Sequence, residues 1–136
     1  MATETKTKII SQAVGRRREA IASVRLIAGS SEIVVNGKPV SVYFPGLEAK
    51  NRYELPLKIV DLSTKYSATV MVHGGGKEGQ LDALVLGLAR ALAELKKEHI
   101  KPLRDAGLLT RDPRTRQRRM VGMGGKSRRH KQSPKR

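Results

Sequence analysis

Between Ala20 and Ile27, side chains of two kinds take turns: Ala20, Ala22, Val24 and Leu26 alternate with Ile21, Ser23, Arg25 and Ile27. A period of two places the first set on one face of a pleated strand and the second, lightly polar set on the other. The cluster Gly15-Arg16-Arg17-Arg18 stands just before this run and is expected to open the strand. Gly29-Ser30-Ser31 predicts a turn, and Glu32 to Val35 a second short strand. Asn36-Gly37 is a strong turn dipeptide, while Pro39 weakens any strand that comes after it. Residues 47–62 read as short helical pieces divided at Pro56, and Ala68 to His73 as another strand. The clearest element is a helix from Gln80 to His99. Leu81, Leu84, Val85, Leu88, Leu92 and Leu95 line one stripe of it. Glu78 and Asp82 lie near its positive end, and Lys96 and Lys97 near its negative end. Pro102 is expected to stop it, with a further turn or two by Leu109. Together these elements read as a body of mixed α and β structure.

The apolar pattern fades after Leu109, and composition explains what replaces it. The chain has 136 residues, room for one domain, and its apolar fraction of 38% is low for a wholly packed chain. Lys and Arg number 28 against 12 Asp and Glu, a formal charge of +16. Residues 1–100 hold 15 basic and 10 acidic side chains, whereas residues 101–136 hold 13 and 2. The last quarter also lacks Phe, Tyr and Trp, and cannot bury enough apolar surface to offset the entropy of ordering itself. The chain thus divides into three regions: a flexible start over 1–8, a body over 9–109 and an extended basic tail over 110–136. Such a surplus attracts polyanions, nucleic acid ahead of an anionic membrane. Without aromatics to stack on bases, the tail suits phosphate backbone and shape, and so structured RNA.

Other chemistry finds little support. Gly74, Gly76 and Gly79 match a dinucleotide-binding spacing, but no second strand–helix–strand unit fits into the chain beyond the helix. A phosphate-binding P-loop would need Gly at Met71 and Ser or Thr at Glu78. Gly74, Gly75, Gly76 and Gly79 are better read as a tight strand-to-helix turn, with an RNA phosphate approaching bare backbone as an intermediate reading. His73, His99 and His130 share no ligand spacing, and the chain has no Cys. No activated nucleophile pattern occurs, so the chain is read as a non-enzyme with no cofactor, no metal and no small-molecule substrate. The start MATETKTKII lacks a secretory signal, which suggests the cytoplasm, with an organelle interior left open. Arg16, Arg17 and Arg18 are expected at RNA. Asp112, before Pro113, reads as a structural turn whose flanking Arg111 and Arg114 are phosphate ligands. Arg116, Arg118, Arg119 and Lys126 extend the same basic surface. From Lys126 to Arg136 an extended chain reaches about 35 Å.

These motifs resemble a known family. Gly15-Arg16-Arg17-Arg18-Glu19-Ala20, Val35-Asn36-Gly37-Lys38-Pro39, Tyr43-Phe44 and Gly74-Gly75-Gly76-x-x-Gly79-Gln80 are similar to blocks of ribosomal protein S-nine, of bacterial or organellar type. So are Gly87-x-Ala89-Arg90-Ala91-Leu92, Leu108-Leu109-Thr110-Arg111-Asp112-Pro113-Arg114 and the closing Lys135-Arg136. The resemblance spans residues 8–136. It implies a compact α+β body of the fold seen in the second domain of ribosomal protein S-five, a β-sheet with helices on one face. It also implies a structural role in the head of the small subunit, among ribosomal RNA and neighbouring ribosomal proteins. Arg128 and Arg129 would then pack on RNA, and Lys135 and Arg136 would approach transfer RNA in the peptidyl site. The tail departs from the family pattern, with Lys131 where Pro is common, Ser133 where Phe is common and Pro134 where Ser is common. The alternative class is a general basic nucleic-acid-binding protein, an RNA chaperone or a DNA compactor.

Overall fold

A computed structural model of the chain describes residues 8–124. The strands are β1 (Ile9–Arg17), β2 (Ala20–Ala28), β3 (Val34–Val35), β4 (Lys38–Pro39) and β5 (Tyr66–His73). The helices are α1 (Val40–Tyr43), α2 (Leu47–Ile59), α3 (Lys77–Leu95) and α4 (Ile100–Asp105). The sheet order is β1-β2-β5-β3-β4, antiparallel except where β3 runs parallel to β5. The helices cover one face only, which makes the body α+β.

The alternation in β2 works as its spacing implies. Ala20, Ala22, Val24 and Leu26 are fully buried, beside Ala68, Val70 and Val72 of β5. Leu81, Leu84, Leu88 and Leu92 of α3 press onto them, each burial contributing about 1.5–3 kcal/mol. Small residues let α3 come very close to β1. A Cβ built on Gly15 would stand 1.9 Å from the Ala83 carbonyl oxygen and 2.4 Å from the Gly87 nitrogen. No side chain fits there.

Several boundaries differ from the sequence expectation. The arginine cluster does not open the long strand; it closes a strand of its own. Arg17 pairs with Ala20, and Arg18 and Glu19 make the connecting turn, with Arg18 at φ +52°. A hairpin turn without Gly, Asn or Asp gives no turn signal. The strand expected over Glu32 to Val35 shrinks to Val34–Val35, after which Asn36 (φ +50°) and Gly37 (φ +79°) reverse the chain.

Residues 47–59 form one helix, not pieces divided at Pro56. Pro56 lies inside α2 and leaves the Arg52 carbonyl without its helical donor. Burial of Tyr53, Pro56 and Leu57 holds the helix together across that gap. Helix α3 starts at Lys77, earlier than Gln80, and ends at Leu95, before His99. Pro102 does not stop it. Lys96 does, by turning extended (φ −146°, ψ 137°), and Pro102 sits in the first turn of α4, where no helical N–H is required. The His99 ring lies 3.0 Å from the Leu92 carbonyl, so an Nδ1–H there donates to one of the orphaned acceptors at the helix end.

Candidate nucleic-acid interface

The end of the β1–β2 hairpin, the glycine turn after β5 and the root of the C-terminal segment meet at one end of the body. Gly74 (φ +77°) and Gly75 (φ +60°) make the turn from β5 into α3. A Cβ on Gly74 would stand 2.4 Å from the Glu19 carbonyl oxygen. The hairpin backbone therefore occupies the ground that a dinucleotide fold would leave for its cofactor. No strand comes after α3 among the described residues, so the crevice between parallel strands is missing too.

Helix α1 pins the same turn from the other side. The Tyr43 hydroxyl donates to Gln80 Oε1 at 2.9 Å, and Gln80 Nε2 donates to the Gly74 carbonyl at 3.0 Å. Lys77 Nζ sits 3.4 Å from the Tyr43 ring centroid, a cation–π contact. The Tyr43-Phe44 and triple-glycine motifs are thus one physical unit.

The three arginines part company here. Arg16 projects from the open face of the sheet and Arg18 from the hairpin turn, both exposed. Arg17, on the alternate face of the pleat, turns inward, its side chain 14% exposed. Its Nε is 3.5 Å from Asp82 Oδ2, and its Nη1 is 2.7 Å from Asp112 Oδ2. The Nη1 contact is an ion pair out of hydrogen-bond alignment. Asp82 also receives Arg52 of α2, which reaches Glu78 at 3.0 Å. Glu78 is therefore engaged with a cation instead of standing bare at the start of α3.

Asp112 is the centre of the tail root. Its Oδ1 accepts from the Arg114 backbone N–H at 3.0 Å, closing a small turn, and the Arg114 guanidinium forks onto both carboxylate oxygens at 2.7–3.0 Å. Arg111 donates to the Asp112 carbonyl oxygen. The Arg114 hydrogen bonds, side chain first and backbone second, hold the Asp112 carboxyl far below the usual carboxylate range, and the nearby Arg17 charge helps. Asp112 in turn pushes the Arg114 guanidinium upward.

Residues 110–120 adopt no regular structure. Arg116 and Arg118 are exposed and Arg119 is half-buried. Arg116 joins Arg18, Gly75 and Gly76 in lining an open cleft beside the start of α3. Lys126, Arg128, Arg129, Lys135 and Arg136 lie outside the described residues. No group of three or more His, Asp or Glu side chains that could hold a metal ion occurs among the described residues. No helix among them is long and apolar enough to cross a membrane.

Two partners of this cluster carry no signal in the sequence. Arg52 and Asp82 complete the ion network, yet they stand on different helices with no local signal joining them. Arg25 was visible only as a polar position in an alternating strand.

Comparison with known proteins finds one family. A family model described as "Ribosomal protein S9/S16" matches residues 15–136. A protein of Crocosphaera subtropica named "Small ribosomal subunit protein uS9" is 46% identical over 123 residues, covering 90% of each chain. Proteins of the same name from Gloeothece citriformis and Synechocystis are 44% and 42% identical over the same length, again covering 90% of each chain.

Proposed function

The chain belongs to the family of ribosomal protein S9/S16, and on that premise we propose that it fastens the head of the small ribosomal subunit by binding ribosomal RNA, with its C-terminal tip at the transfer RNA of the peptidyl site. The family is a structural one, and its members work among ribosomal RNA and other ribosomal proteins. The observation that carries the finer reading is the concentration of charge: 11 of 28 basic residues lie in the tail, residues 110–136.

Two sets of cations do the work. Arg16, Arg18, Arg111, Arg116, Arg118 and Arg119 supply phosphate contacts at the body and tail root, and Lys126, Arg128 and Arg129 continue them. Arg17 and Arg114 contribute from positions already shared with Asp112. Lys135 and Arg136 contact the transfer-RNA backbone. Arg offers a planar fork to phosphate and Lys a movable point charge. Neither reads base sequence in this way, which suits a site that every transfer RNA visits.

If about six tail cations each neutralise one phosphate, log affinity falls against log salt with a slope between about −4 and −5. The test removes Lys135 and Arg136 from the chain in reconstituted subunits. Assembly should persist while peptidyl-site transfer RNA dissociates faster, more so at high salt. Unchanged retention across the salt series refutes the tip's role. Comparable affinity for duplex DNA and for head-domain ribosomal RNA would instead mark a general nucleic-acid binder.

A further inference from the structure

One face of the sheet carries no helix, and beyond an end rung of Ile9, Ile27 and Ser67 its side chains form three rungs. Arg16, Ile21 and His73 stand on the first, Val14, Ser23 and Met71 on the second, and Gln12, Arg25 and Thr69 on the third. Arg25 is exposed on β2, which is flanked on both sides by other strands. Neither Arg16 nor Arg25 has a hydrogen bond or ion pair among the described residues, and no carboxylate shares the three rungs with them. The acidic side chains of the body's helices, among them Glu54, Glu78, Asp82, Glu94 and Asp105, ride on the opposite layer. An unpaired guanidinium in the middle of a sheet face, facing away from every one of those carboxylates, contributes nothing evident to the fold.

We propose that this open sheet face, centred on Arg25, is the surface on which the body docks against double-helical ribosomal RNA. The inference rests on the RNA-binding reading above and adds the surface.

Charge complementarity selects the occupant. A second copy of the chain would bring a like charge of +16 against the same arginines. Of the exposed aliphatics on this face, Val14 and Met71 share a rung with Ser23 and Ile9 stands apart at the far end, with Gln12, Arg25 and Thr69 between them, so they do not build the continuous apolar centre expected where a protein partner sits. The three rungs carry no Phe, Tyr or Trp, and the single ring of His73 is too little to stack a run of unpaired bases. A face that offers Gln12, Ser23 and Thr69 as donors beside its arginines matches the wide, shallow minor groove of an RNA helix, which displays 2′-hydroxyls. On ideal strand geometry Arg16 and Arg25 stand about 14 Å apart, far enough to take separate phosphates on either side of it.

The experiment uses the full chain and the transcribed head domain of small-subunit ribosomal RNA, titrated at several salt concentrations. Arg25→Glu should weaken binding about tenfold and make the salt slope shallower by about 1, because one phosphate contact is lost. Lys101→Glu makes the same charge change on the helical side and should alter affinity less than about twofold. Should Arg25→Glu unfold by circular dichroism, Arg25→Gln keeps the slope readout. If wild type binds RNA and Arg25→Glu behaves like Lys101→Glu, the docking face is refuted while the RNA-binding reading stands. If wild type fails to prefer ribosomal RNA over DNA, the underlying reading falls as well. Normal RNA affinity combined with failure to enter subunits assembled from all their proteins would assign the face to a protein neighbour, and would also overturn the proposal.

Discussion

Replacing Gly15 with Ala adds one methyl group where the backbone of β1 touches the backbone of α3. The built Cβ lies 1.9 Å from the Ala83 carbonyl oxygen, whereas ordinary contact begins near 3.4 Å, so the helix must retreat by about 1.5 Å. Both neighbours are backbone, and no flexible side chain can move aside. Retreat would loosen the Leu84 and Leu88 packing and stretch the bond from Ser11 Oγ to the Ala91 carbonyl, now 3.0 Å. Overpacking typically costs about 1–3 kcal/mol, and a rigid clash belongs at the upper end. In a body of this size, where 1 kcal/mol moves Tm by about 4–8 °C, a loss of about 3 kcal/mol lowers it by about 12–24 °C. Thermal unfolding followed by far-ultraviolet circular dichroism measures this directly. Gly76→Ser is the control: a Cβ there meets nothing within 4 Å, φ is −105°, and Ser at this helix cap should leave Tm unchanged or slightly higher. A Gly15→Ala protein that melts within about 3 °C of wild type would show that β1 and α3 are not in backbone contact, and the reasoning fails.

Three further outcomes are expected. Asp112→Ala removes both the charge facing Arg17 and the acceptor for the Arg114 N–H, whereas Asp112→Asn keeps an acceptor. Trypsin cleavage after Arg111 and Arg114 should therefore quicken in the order wild type, Asn, Ala, and equal rates would refute the clamp at the tail root. The depressed carboxyl of Asp112 makes its contribution complete above the ordinary aspartate value of 3.8, with loss only as pH falls below it. A carboxyl titration by NMR should place Asp112 below that value, and a midpoint at or above it would contradict the Arg114 fork. Leu84→Ala, at a fully buried position facing the sheet, should cost about 2–5 kcal/mol in urea unfolding.

How far the chain could be read in advance depended on whether the deciding contact was local. The period of β2, the β-branched run of β5 and the leucine stripe of α3 are local, and they formed close to where the pattern put them. The β1–β2 hairpin was not legible, because Arg18 and Glu19 carry no turn chemistry of their own and are bent by the strands they join. Pro56 suggested a break, and burial on one side of α2 overrode it. The parallel pairing of β3 with β5 joins Val34 to Thr69 across two helices and leaves no local trace. At the candidate site, the excess of arginine was plain in the composition. The separation of inward Arg17 from outward Arg16 and Arg18 was not, since it required the strand to end at Arg17. Asp82 and Arg52 became partners of that cluster only through folding.

The amide of Asn36 behaves like an extra peptide group. Its Nδ2 donates to the Val72 carbonyl at 2.8 Å while its Oδ1 accepts from the Val72 N–H at 2.8 Å. Asn followed by Gly is the pairing most prone to spontaneous deamidation, which begins when the next backbone nitrogen attacks the side-chain carbonyl. Here Val72 grips both ends of the amide and keeps it from turning toward Gly37. Ageing at this position is therefore gated by unfolding. Once the chain opens, conversion to a carboxylate would set negative charge against the Val72 carbonyl and obstruct the return, so that a single chemical event turns a passing excursion into lasting damage.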